Sequence, residues 1–211
     1  MPDNALPDDA AHDTEEPKVR HRMKPGQRRE QILQMLAAML EQPGAERITT
    51  ASLAAKLDVS EAALYRHFAS KAQMFEGLID FIEHSVFSLI NQIAERDGDG
   101  AQKAARMVTV LLQFGEKNPG MARVMVGDAL VFENERLHQR MNQLFERVES
   151  ALRQVLRAAA EANQSATPTA DAQVRAAALV SYALGSLQRF TRSGFKRSPL
   201  DHLEASLALM L

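Results

Sequence analysis

From Ile32 to the final residue, Leu211, apolar side chains recur every three or four positions, and nowhere do they alternate over a useful length. A period near 3.6 is that of an α-helix and a period of 2 that of a strand, so the chain is expected to be all-α. Ile32, Leu33, Leu36, Met39 and Leu40 mark a first helix, stopped by Gln42-Pro43-Gly44. Leu53, Ala54 and Leu57 mark a short second helix after Thr49-Thr50, and a third runs from Ser60 to about His67 with Leu64 and Phe68 inward. Ser70 followed by Gln73 reads as a capping box that opens a long fourth helix. Its stripe is Met74, Phe75, Leu78, Ile82, Leu89 and Ile93, and Asp97-Gly98-Asp99-Gly100 ends it. A fifth helix runs to the turn Asn118-Pro119-Gly120, and a short segment follows around 121–130. A long amphipathic helix spans roughly Asn134 to Ala162, and after a polar linker two more helices cover about 171–193 and 200–211.

Charge is distributed unevenly along this helical chain. The net charge is only −2, yet residues 1–16 hold six acids and no Lys or Arg, whereas residues 17–76 hold ten Lys and Arg against six Asp and Glu. The basic section is suited to an anionic partner, nucleic acid or anionic lipid. An acidic start is the reverse of a secretory leader, and no apolar run approaches the ~18 residues of a membrane span. The expectation is a cytoplasmic protein with no membrane partner. Residues 1–23, acidic and then basic at Lys18, Arg20, Arg22 and Lys24, have no apolar periodicity and read as a disordered tail.

The segment Ile48–Phe75 is the most informative. Its second and third helices flank the three-residue break Leu57-Asp58-Val59, the length of a helix-turn-helix turn. Ala54 and Ala55 allow close approach, and Asp58 sits where the backbone needs positive φ, which Asp tolerates better than most residues. The third helix presents Glu61, Ala62 and Ala63 at its front, small enough to enter a major groove, then Tyr65, Arg66 and His67. The free N–H groups of its first turn favour phosphate. Tyr65, His67 and Lys71 can reach backbone oxygens, contacts that position a protein on DNA without reading sequence. Ser60 at the helix start, Thr49 and Thr50 at the preceding one, and Arg28 and Arg29 at the front of the first helix complete the candidate DNA-binding set.

The closing helices carry a different signal. Residues 176–187 are nearly all small or apolar, and Leu203 and Leu207 add a second face. A helix apolar on most sides is buried on most sides, so a two-fold dimer interface is expected through Leu179, Tyr182, Ala183, Leu184, Leu187, Leu203 and Leu207. Enzyme chemistry finds no support. Cysteine is absent, the six histidines at 12, 21, 67, 84, 138 and 202 have no second ligand at metal spacing, and no glycine loop cradles a phosphate. No catalytic residue, metal or cofactor is assigned.

Residues 53–75, LAAKLDVSEAALYRHFASKAQMF, resemble the DNA-binding domain of the TetR family of dimeric regulators: Leu-Ala, Val-Ser, Leu-Tyr-Arg-His-Phe, then Ser-Lys and a Phe. Residues 114–156 and 189–199 resemble the branch of that family that keeps division septa off the nucleoid. The resemblance implies a three-helix head at 24–70, a regulatory and dimerisation domain at 71–211, a homodimer, and short palindromic double-stranded DNA as ligand. It also implies capture of the tubulin-like division protein FtsZ by Phe81, Lys117 and Asn118, at a nucleoid location. Phe81 lies off the centre of its helix's apolar stripe, which suits either an exposed anchor or a residue packed under a neighbouring helix. The competing reading is a repressor released by a small molecule. Only 5% of residues are aromatic, and the middle helices are rich in Leu, Met, Val and Ala. That composition leans toward a filled core with no small-molecule ligand. A helical scaffold with no DNA role is a third reading, disfavoured by the helix-turn-helix.

Overall fold

A computed structural model describes residues 26–42 and 48–211. The basic arm and acidic start at 1–23 lie outside the described residues. Within them the chain forms α1 Gln27–Leu40, α2 Thr50–Lys56, α3 Glu61–Tyr65, α4 Lys71–Glu95, α5 Gly100–Lys117, α6 Pro119–Met125, a 3-10 turn Asp128–Leu130, α7 Glu135–Ala162, α8 Pro168–Arg192 and α9 Leu203–Met210. No strand occurs among the described residues, in accord with the helical periodicity.

Local chemistry sets most of the boundaries. Thr49 and Ser52 cap α2 reciprocally, each side chain accepting from the other's backbone N–H at 3.1 Å. Ser60, Asp99 and Asn134 cap α3, α5 and α7 in the same sense, each accepting from a first-turn N–H. Pro119 and Pro168 open α6 and α8, where a missing N–H costs nothing. Ser70 Oγ caps α4 by accepting from Gln73 N at 3.2 Å, but the return bond differs from a capping box. Gln73 Oε1 accepts from Ala69 N at 2.7 Å instead, one residue earlier.

Three other sequence expectations are corrected. The third helix closes at Tyr65, with Arg66 as its C-cap, rather than continuing to His67. The last helix begins at Leu203, after His202 at φ 59°. Leu89 is 41% exposed; the inward face of α4 is carried instead by Ile79, Ile82, Val86, Phe87 and Ile90. A 25-residue helix that packs against α1 and α6 as well as α5 and α7 turns different faces inward along its length, so one fixed stripe cannot describe it.

The buried apolar residues form one continuous cluster from Ile32 in α1 to Leu207 in α9. The head therefore shares its core with the body. Gly120 makes a close junction between them: a Cβ there would stand 2.2 Å from the Ala37 carbonyl oxygen, so α6 seats directly on α1 only because the position is glycine. Charged side chains tie α4 to α7 along their rims. Arg136 pairs with Glu76 at 2.6 Å, Arg140 with Asp80 at 2.5 Å and Glu83 at 2.9 Å, and the Arg147 guanidinium lies 3.9 Å from the Phe87 ring centroid. Burial pulls the Arg140 guanidinium toward deprotonation, but hydrogen bonds to Glu83 and then Asp80 outweigh it, so its pKa is raised above the ordinary value.

Candidate nucleic-acid interface

The head core comprises Ile32, Leu36, Leu53, Leu64 and Phe68, all essentially buried. Its turn has the geometry the sequence indicated. Asp58 takes φ 52°, and Val59 N donates to Ala54 O at 3.1 Å, folding α3 back across α2. That packing leaves Glu61, Ala62, Tyr65, Arg66 and His67 exposed on one side of α3. Tyr65 is 47% exposed despite its size. Arg28, Ala55, Asp58, Ser60, Ala63 and Arg66 line an adjoining concavity of about 710 Å³.

Several residues expected to meet DNA are engaged within the protein. Thr49 spends its hydroxyl on the α2 cap and Ser60 on the α3 cap. Arg29 donates to the His67 carbonyl at 3.0 Å while its guanidinium stacks 4.2 Å from the Phe68 ring centroid, bracing α1 on the end of α3. Arg28 donates to Gln31 Oε1 at 2.8 Å. Thr50 Oγ1 donates to Glu61 Oε2 at 2.6 Å and accepts from Tyr65 O–H at 3.4 Å. Lys71 pairs with Glu133 at 2.5 Å. Among the described residues, the side chains of Arg66 and His67 make no ion pair or hydrogen bond and are exposed beside Ala62. Glu133 carried no sequence signal, because its meaning comes from a contact made across 62 positions.

A second surface lies at the junction of head and body. Phe81 is 49% exposed, with its ring 6.1 Å from that of Phe114. It shares a groove of about 310 Å³ with Leu33, Gln34, Ala37, Asn118 and Met121. Of the two placements left open for Phe81, the exposed one is observed. Asn118 links α5 to α6, and its side-chain amide donates to the Phe114 carbonyl at 2.8 Å. Lys117 is exposed at the end of α5.

The expected dimer face divides in two. Leu179, Ala183 and Leu187 are at most 1% exposed and lie in the protomer's own core, so they cannot touch a partner. Leu203 and Leu207 are also buried, by packing of α9. Tyr182 and Leu184 are partly exposed, as are Ala177 and Gln188, and Ala178, Ser181 and Gly185 are exposed. Leu209 is 90% exposed. The correction follows from α7, which packs extensively on α8 and takes up the side that composition alone assigned to a partner.

The helix-turn-helix head on a helical body defines a TetR-type regulator, and the comparisons agree. Residues 32–78 match the model of bacterial regulatory proteins of the tetR family, and residues 100–211 match the tetracyclin repressor-like, SlmA-like C-terminal domain. Among solved structures, the TetR family regulator PfmR of Thermus thermophilus superposes with a TM-score of 0.70 at 22% identity, covering 85% of this chain and 96% of that one. The FadR regulator of Bacillus subtilis, solved with stearoyl-CoA, superposes with a TM-score of 0.67 at 14% identity, covering 86% and 96%. These two establish the fold alone. The nucleoid occlusion factor SlmA of Vibrio cholerae is 52% identical over 184 residues, 87% of this chain and 93% of its own. That of Vibrio vulnificus is 51% identical over 188 residues, 89% and 95%. The chain belongs to the TetR family and, within it, to the SlmA nucleoid occlusion factors.

Proposed function

We propose that this protein acts as a homodimer that binds short palindromic double-stranded DNA on the chromosome and, while bound, captures FtsZ, so that septa do not assemble over the nucleoid. The observation that carries the reading is identity near one half over almost the full length of SlmA relatives, regulatory half included. In TetR-type proteins that half usually varies with the partner. The head at 24–70 holds DNA through Arg66, His67, Tyr65, Glu61 and Ala62, joined by Lys71 at the start of α4, with Thr49, Thr50, Ser60, Arg28 and Arg29 shaping the surface. The body at 71–211 carries the FtsZ site at Phe81, Lys117 and Asn118. Support for that site is the half-exposed Phe81 beside Asn118 in one groove, an aromatic side chain that a partner could desolvate on binding.

Dimerisation uses the accessible side of α8 with α9, where Tyr182, Leu184 and their small neighbours let two helices approach. Catalysis, a cofactor, a metal and a small-molecule inducer have no part in this reading, and the protein resides at the nucleoid. Among the described residues no helix is long and apolar enough to cross a membrane. Co-sedimentation with polymerising FtsZ, with and without specific DNA, tests the proposal. DNA-stimulated capture supports it, and a protein that ignores FtsZ but releases DNA on adding a small ligand belongs to the repressor class instead.

A further inference from the structure

We propose that Glu61 selects a base bearing an exocyclic amine, cytosine above all, at one position of each DNA half-site, and that Thr50 and Tyr65 are positioning residues for its carboxylate. The inference rests on the DNA-binding reading above and gives it a base.

Glu61 is the first residue of α3, exposed, with Ala62 and Ala63 beside it. Neighbours that small leave the carboxylate free to approach a base edge. Its placement is already restricted: Thr50 Oγ1 donates to Oε2 at 2.6 Å, and Tyr65 O–H donates to the same Thr50 oxygen at 3.4 Å. The proton directions are thereby determined. Tyr65 gives its proton to Thr50, and Thr50 has one proton, which goes to Glu61. The relay runs from the far end of α3 through the start of α2 to the front of α3. A side chain ordered in this way before DNA arrives loses less freedom on binding. Oε1 remains available as an acceptor.

Arg28 and Arg66 line, with Asp58, the concavity that includes Ser60, the residue before Glu61, and no cation pairs with Glu61 among the described residues. An ionised carboxylate near phosphates is unfavourable unless it meets donors. In the major groove only cytosine N4 and adenine N6 donate, while guanine N7 and O6 and thymine O4 accept and repel it. Adenine sets its N7 acceptor beside the amine, whereas cytosine sets a C–H there, so cytosine is the better match.

The test uses the intact homodimer. A palindromic duplex selected from random sequence is changed one base pair at a time, and affinities are measured for the wild type, Glu61→Ala, Glu61→Gln and Thr50→Val. The wild type should favour cytosine at one half-site position by roughly ten- to a hundredfold over thymine. Glu61→Ala should flatten that position to within about twofold and leave the others as they were. Glu61→Gln, which offers a donor beside its acceptor, should shift the preference there toward adenine. Thr50→Val should blunt the same position with unchanged helicity and melting temperature. If Glu61→Ala preserves the whole profile, or alters affinity equally at every position, Glu61 reads no base and the proposal fails while DNA binding stands. A wild-type protein that selects no sequence overturns both.

Discussion

Lys71 and Glu133, 62 positions apart, meet at 2.5 Å, joining the first residue of α4 to the approach of α7. Lys71 also lies 5.7 Å from the Phe75 ring centroid, so its ammonium is held from two sides. With Arg136–Glu76 and Arg140–Asp80/Glu83 further along, the pair is the head-proximal rung of a ladder between α4 and α7. A phosphate that takes Lys71 must compete with Glu133. On the DNA-binding role proposed for Lys71, DNA binding and the contact between the start of α4 and the approach to α7 compete for one cation, and such a linkage is reciprocal.

Glu133→Gln should strengthen DNA binding by roughly two- to fivefold, the range of an ion pair worth about 0.5–1 kcal/mol. It should also steepen the salt dependence by about one released counterion. In Lys71→Ala the effect of Glu133→Gln should vanish, the signature of a coupled pair. Fluorescence anisotropy across a salt series reads all three. Affinity unchanged by Glu133→Gln in the wild-type background would show that Lys71 does not serve DNA.

Phe81→Ala and Lys117→Ala should each lower FtsZ affinity at least tenfold while DNA affinity stays at the wild-type value. Phe81 is only half-buried, so its truncation should cost about 1–2 kcal/mol of stability, less than a core Phe. Sedimentation with FtsZ, beside melting curves, separates lost contact from lost fold. Full inhibition of FtsZ assembly by both variants would place the contact surface elsewhere.

Gly185 and Leu187 lie two residues apart on α8 and should respond in opposite ways. A Cβ at Gly185 meets nothing within 4 Å inside the protomer, so Gly185→Arg should leave a folded helical chain but give monomers in analytical ultracentrifugation. Leu187 is fully buried, and Leu187→Glu should unfold the protomer, because an unpaired charge in the core costs several kcal/mol. A dimer that survives Gly185→Arg would remove this face of α8 from the interface.

The start of α8 should loosen in acid. Ser165 donates to Asp171 at 2.5 Å and Thr167 at 3.0 Å, and these hydrogen bonds hold the Asp171 carboxyl below its ordinary range. A carboxylate with a depressed folded pKa contributes stability that is present above its unfolded pKa and is lost as pH falls through the folded one. Hydrogen exchange at the first turn of α8 should therefore quicken below about pH 4 in the wild type, the range in which a carboxylate protonates. Asp171→Asn should show quicker exchange at neutral pH and a weaker acid response. An identical acid response in Asp171→Asn would exclude Asp171 as its source.

The helices, their caps and the turn at Asp58 were legible in the sequence because they depend on interactions within a few residues. Periodicity marks a helix, a Ser or Thr marks its start, and Asp tolerates the φ 52° the turn requires. The exposed side of α3 was legible for the same reason, since five residues between two turns leave few ways to face. What each side chain does on that face was decided only by tertiary packing. Thr50 donates to Glu61, and Arg29 stacks on Phe68, and neither partner is near in sequence. Leu179, Ala183 and Leu187 show the same limit: apolar spacing says that a surface is buried, not whether α7 of the same chain or another protomer buries it. Burial is non-directional and indifferent to the identity of the neighbour, so only the folded arrangement assigns the partner.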